Sequence, residues 1–260
     1  MFTRAELQRA LDADELLLLY QAEVDMRTGK SVAVECAIRW RHPTQGLLHA
    51  MRFVNEVPPA GLAPDYMRFI VRTVTRQMAR WHAESVAFGR ASINAWPLSI
   101  GRELIDDTLT AAAAAGIDPS EIEVESQPEA TYGPAIFGAL QEFRDAGLRV
   151  ALDDFGEGYL RFMSIRDAPF DVVKLPVHFV LRAGATFDDA VIAAGVGFAR
   201  SIGAETVAEG VETTQIRDRV RELGCDIGQG FLWSQQVEAD ELPAVLQAIG
   251  IDGASAKPVA

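Results

Sequence analysis

The stretch LLLLYQAEVDMRTGKSVAVECAIRW, residues 16–40, holds two strand-length apolar runs, 16–23 and 31–40, on either side of the short turn MRTGK. A connection so short leaves no room for a crossover helix, so the two runs read as a hairpin. Outward from the hairpin the pattern changes. Strand-length apolar segments at 87–94, 122–125, 149–153, 172–175, 206–209 and 230–233 are separated by helix-length segments, among them 65–84, 132–146, 187–202 and 213–223. In the first of these helices Ile70, Val74 and Met78 keep helical register, and the last closes on Gly224. Alternation of this kind builds repeated βα units around a parallel sheet. Eight strands in one chain predict an α/β fold, a closed (β/α)8 TIM-type barrel, with an irregular start. Because the first two strands are joined by a turn rather than a helix, one of them runs antiparallel to its neighbour.

At 260 residues and 28.3 kDa the chain suits one such barrel, which commonly needs about 250 residues. No internal repeat and no Pro/Gly/Ser-rich linker divides it. One domain over 1–250 is expected, with 251–260, ending in GASAKPVA, as a small, polar, disordered tail. No run approaches the roughly 20 apolar residues of a membrane span, and the N-terminus lacks a signal-peptide pattern, which points to the cytoplasm or to the cytoplasmic side of a larger assembly. The formal net charge of −13 argues against a nucleic acid polymer or an anionic membrane as the main partner. Cys36 and Cys225 show no paired spacing, and His42, His49, His82 and His178 show no ligand spacing. A metal here would be held by oxygen, which favours magnesium, manganese or calcium over zinc.

Polar residues track the strand ends. The second strand carries Glu35 and Arg39, the third ends in Asn94, the fourth in Glu125, and the fifth in Asp153 and Asp154. Lys174 lies in the sixth, Glu209 ends the seventh, and the eighth begins near Gln229. A barrel gathers such residues into one polar site at its C-terminal mouth. Two adjacent aspartates repel unless a cation relieves them. Oxygen ligands in this number suit two divalent ions about 3.5–4 Å apart, an arrangement that cleaves phosphoesters. Asp153 is the candidate bridge, Lys174 the group that orients or activates water, and Arg39 the partner of a phosphate oxygen.

The segments YQAEVDMRTGKSVAVECAIRWRHPTQGLL, RASINAW, IEVESQPE, ALDDFGEGYLRF, FDVVKLPVHFV, TVAEGVETTQ and GCDIGQGFLWS resemble the EAL domains, bacterial phosphodiesterases that open cyclic di-GMP to the linear dinucleotide. The resemblance runs from about residue 17 to 234. It implies a barrel of the type read above and a two-metal hydrolysis using magnesium or manganese. Position by position, it implies catalytic roles for Lys174, Glu35 and Asp153, and metal binding by Glu35, Asn94, Glu125, Asp153, Asp154 and Glu209. It likewise implies ligand contacts from Gln21, Arg39, Asp154 and Gln229, and a loop anchor at Glu212.

Some positions depart from the family pattern. Lys174, Leu175 and Pro176 stand where Lys-Ile-Asp is usual, which removes an acid beside the lysine. Pro128 replaces a second Glu that normally anchors the loop carrying the double Asp, and that loop has Glu157, Leu160 and Arg161 at positions usually held by Thr, Ser and Ser. Glu35-Cys36-Ala37 replaces the Glu-Ala-Leu that names the family, read here as a change of packing. The expectation is binding of cyclic di-GMP or its linear product at the barrel mouth, with weak or absent hydrolysis. A working phosphodiesterase and a nucleotide-independent interaction module are the alternatives, with a homodimer and a protein partner both left open.

Overall fold

The computed structural model describes residues 1–127, 134–157 and 169–252. Nine strands form one sheet: β1 (Leu16–Asp25), β2 (Ser31–His42), β3 (Gly46–His49), β4 (Arg90–Ala95), β5 (Ile122–Ser126), β6 (Arg149–Leu152), β7 (Val172–Leu175), β8 (Glu205–Glu209) and β9 (Ile227–Gln229). Their order is β1-β9-β8-β7-β6-β5-β4-β2-β3, and pairing of β1 with β2 closes eight of them into a barrel, with β3 outside. From β4 to β9 the neighbours are parallel, as is β2 beside β4. β1 is antiparallel to both β2 and β9, so the expected irregular start is present and the reversed strand is the first.

The helices follow their sequence signals. Ala63–Ala83 has Pro64 in its first turn and buries Ile70, Val74 and Met78 on one face. Thr186–Ile202 ends at Gly203 in the left-handed region. Thr214–Glu222 starts at Thr213, whose side chain accepts a hydrogen bond from the Ile216 backbone. The N-terminal segment forms Arg4–Asp12, opened by a capping box between Thr3 and Glu6. Pro134–Asp145 lies inside the expected 132–146, whose first two residues fall outside the described ones. The last helix, Leu242–Asp252, runs past the expected domain end at residue 250.

One strand was misplaced by the sequence reading. The eighth barrel strand is β9, which ends at Gln229, whereas the expected 230–233 is a turn. Gly230 explains the difference. It has φ of 155° and its backbone presses on Val211, where a Cβ would stand 2.3 Å from the carbonyl oxygen. The apolar residues that follow pack as a turn, with Trp233 lying against Gly228 of β9. Apolar content alone does not distinguish such a turn from a short buried strand.

Strand alternation sets what lies under the mouth. Ala151, Val172, Val207 and Ile227 form a small apolar cluster, each two residues before Asp153, Lys174, Glu209 and Gln229 in turn. On the other side the same alternation places Ser92 and Glu123 below Asn94 and Glu125. Glu123 is buried there, between Arg90 at 3.5 Å and Arg149 at 3.2 Å.

Candidate active site

Lys174 is the centre of the site. Its side chain is fully buried, and its Nζ donates to Glu125 Oε1 and lies equally close to Glu209 Oε1, both at 2.8 Å. Glu23 and Glu35 stand farther off, at 3.9 and 4.0 Å. Glu35 is held by amides on both sides: Asn94 Nδ2 donates to Oε1 at 3.0 Å and Gln229 Nε2 to Oε2 at 2.6 Å. Gln229 also donates to Gln21 Oε1 at 3.3 Å, and Gln21 Nε2 donates to the Ser234 carbonyl at 2.8 Å. Cross-strand register explains this chain of contacts, since Gln21 is opposite Glu35 on β2 and Glu209 is beside Gln229 on β9.

The double aspartate follows β6 directly. Asp153 Oδ1 accepts from the Asp154 backbone at 2.8 Å, and Asp154 Oδ2 accepts from Gln127 Nε2 at 2.7 Å. Asp154 has φ of 51°, a left-handed conformation that costs a non-glycine residue and often accompanies a functional turn. Carboxylate oxygens of Asp153, Asp154 and Glu209 all lie within 4.8 Å of one another. Glu125 Oε2 and Gln229 Oε1 are buried with no hydrogen-bond partner among the described residues.

The electrostatics follow from too many acids around too few bases. Burial raises Glu209 to about 8, and raises Asp154 to about 7 with help from Asp153 and Glu157. Burial also lifts Asp153, and lifts Glu125 well above the usual range despite Lys174. Burial works against Glu35 as well, but Lys174, Gln229, Asn94 and Arg39 outweigh it and hold this carboxyl low. Burial opposes the charge of Lys174 too, yet the surrounding acids hold its pKa well above the ordinary value. Among groups that interact this closely, protons belong to the cluster rather than to one residue.

The donor set fits divalent ions. It is made of hard oxygens, it carries surplus negative charge, and one of its buried oxygens has no partner among the described residues. Asp153, Asp154 and Glu209 are close enough to share an ion, and the other expected ligands, Glu35, Asn94 and Glu125, adjoin them around Lys174.

Other expected residues lie apart from this cluster. Arg39 is buried beside the mouth, with Nη1 donating to the Ile38 carbonyl at 2.7 Å and Nη2 to Gln236. Glu212 is exposed and makes no hydrogen bond or ion pair with a described residue. Residues 158–168 of the segment after the double aspartate are outside the described residues, as is Pro128, so the readings at Pro128, Leu160 and Arg161 fall there. Glu157 lies 2.8 Å from His178. Pro176, two residues after Lys174 where the family has an acid, caps the short helix Val177–Val180.

The sequence reading missed Glu23. It is fully buried in β1, and burial pushes its carboxyl up to about 7. The available signal was its spacing, two residues beyond Gln21 and therefore on the same inward face.

The profile described as EAL domain matches residues 4–236. The chain is 32% identical over 253 residues to the cyclic di-GMP phosphodiesterase NbdA of Pseudomonas aeruginosa, covering 96% of this chain and 32% of that protein. It is 30% identical to the cyclic di-GMP phosphodiesterase PA2567 of the same organism, covering 91% of this chain and 41% of that one. The chain thus spans less than half the length of either relative. The structure of the PaMucR phosphodiesterase in complex with c-di-GMP superimposes with a TM-score of 0.86 at 28% identity, covering 92% of this chain and 98% of that one. A profile match over nearly the whole length, on a barrel with this topology, means that the chain belongs to the EAL domain family.

Proposed function

We propose that the mouth of the barrel binds cyclic di-GMP and, with divalent ions of the magnesium or manganese class, opens it slowly to the linear dinucleotide. The observation that carries this reading is the Lys174 ammonium buried between Glu125 and Glu209, beside the oxygen cluster of Asp153, Asp154 and Glu209. The names of NbdA and PA2567 and the ligand of PaMucR support the choice of nucleotide.

Each residue has a task that its surroundings suit. Asn94 and Gln229 hold the Glu35 carboxylate in one orientation, from which it would serve as a ligand to such ions. Lys174 brings a positive charge that burial keeps from being screened, placed to orient water or to neutralise charge on the phosphate. Arg39 and Gln21 line the nucleotide side, where an arginine pairs well with a phosphate oxygen. Bound ions of this class supply positive charge against a phosphoryl oxygen and acidify water. Asp153 and Asp154, adjacent in sequence, have carboxylates close enough to serve such ions together.

Pro176 is the observation that favours a second reading, a receptor with no turnover. It stands where the family supplies an acid near the lysine, and it starts a helix immediately. Calorimetry with cyclic di-GMP and manganese, combined with chromatography for the linear product, separates the two. Slow product formation supports the proposal and binding without product supports the receptor. Absence of both would overturn nucleotide binding.

A further inference from the structure

Beneath the mouth, one acid takes no part in the chemistry just described. Glu23 is fully buried, and neither carboxylate oxygen has a hydrogen-bond partner among the described residues. Such a group is costly in a barrel interior unless something compensates it. Lys174 Nζ lies 3.9 Å from its Oε1, just beyond hydrogen-bonding distance.

The ammonium therefore stands between two sets of acids. Glu125 and Glu209 hold it at 2.8 Å, and these two residues are also assigned to the divalent ions. An ammonium and a metal ion compete for the same carboxylate charge. Ion binding would leave a buried positive charge beside the new one unless the lysine had another acid to turn to. Glu23 approaches from β1, paired in register with Gln229 and two residues below Gln21.

We propose that Glu23 is a positioning residue that takes up the Lys174 ammonium when Glu125 and Glu209 turn to divalent ions. The movement is small, a closing from 3.9 Å to about 2.8 Å, the usual length of a charge-assisted hydrogen bond. No bond is made or broken. This inference rests on the proposed metal site and explains how that site accepts ions without expelling its lysine.

The test is manganese binding to nucleotide-free protein by calorimetry, together with a crystal structure of the manganese-loaded chain. Glu23→Gln should bind manganese about tenfold more weakly than wild type, the scale of loss when a supporting partner is removed. In a Lys174→Met background the same change should cost nothing further, because its effect passes through the lysine. In the loaded crystal, Nζ should lie within hydrogen-bonding distance of Glu23. Undiminished binding by Glu23→Gln, a loss that persists without the lysine, or Nζ still on Glu125 and Glu209 would overturn the inference and leave the metal site standing. Failure of wild type to bind manganese would overturn the metal site and the inference together. If Lys174→Met does not fold, as judged by melting, the position of Nζ in the loaded crystal decides.

Discussion

At the scale of the residue, Glu35 shows how much of the site a sequence can reveal. Its place on an inward strand position follows from alternation, but its orientation comes from Asn94 and Gln229, residues from two other strands. Replacing Glu35 with Ala should weaken manganese-dependent binding of cyclic di-GMP by at least about tenfold, read by calorimetry. Unchanged affinity would show that the metal site is not used for the ligand. Glu23 shares the face of Gln21 by its spacing, but an acid between Ala22 and Val24 in a hairpin still reads as solvent-facing. Only the closing of β1 against β9 puts it inside. Lys174 was legible as a site residue, whereas its four acidic neighbours come from β1, β2, β5 and β8 and no single stretch of sequence shows them.

At the scale of the element, the long helices were read closely because periodicity and caps agree there, whereas β9 was displaced because three residues carry little pattern. The turn that hides it depends on Gly230. Gly230→Ala should destabilise the fold by about 1–3 kcal/mol, since a side chain meets the Val211 backbone at a disfavoured φ. Chemical denaturation measures this directly, and an unchanged midpoint would mean that the turn adjusts freely. The break after β7 invites the opposite experiment. Changing Pro176→Asp and Pro128→Glu together should raise the rate of linear dinucleotide formation if the missing acid and loop anchor limit turnover. A folded double variant with no gain would point to another cause.

At the scale of the whole molecule, the excess of buried acid couples stability to pH. Glu23, Asp154 and Glu209 have folded-state pKa values of about 7, 7 and 8, above those of an unfolded chain. In that window the folded state holds more protons than the unfolded state, so their contribution is full below the ordinary carboxylate range and is lost as pH rises to about 8. The metal-free melting temperature should therefore fall between about pH 5 and pH 8, and manganese should restore more of it at the higher pH. A melting temperature that rises across that range would contradict the account of the site.

The reversed first strand also governs when the molecule can form. The seam between β1 and β9 joins parts of the chain as distant as Gln21 and Gln229, 208 positions apart. Contacts of such long range form late and slow the search for the native state. A nascent chain still lacking β9 keeps an open edge on both β1 and β8, the exposed pairing surface most prone to misassembly. The ribosome must deliver almost the entire barrel before its first strand finds its last partner.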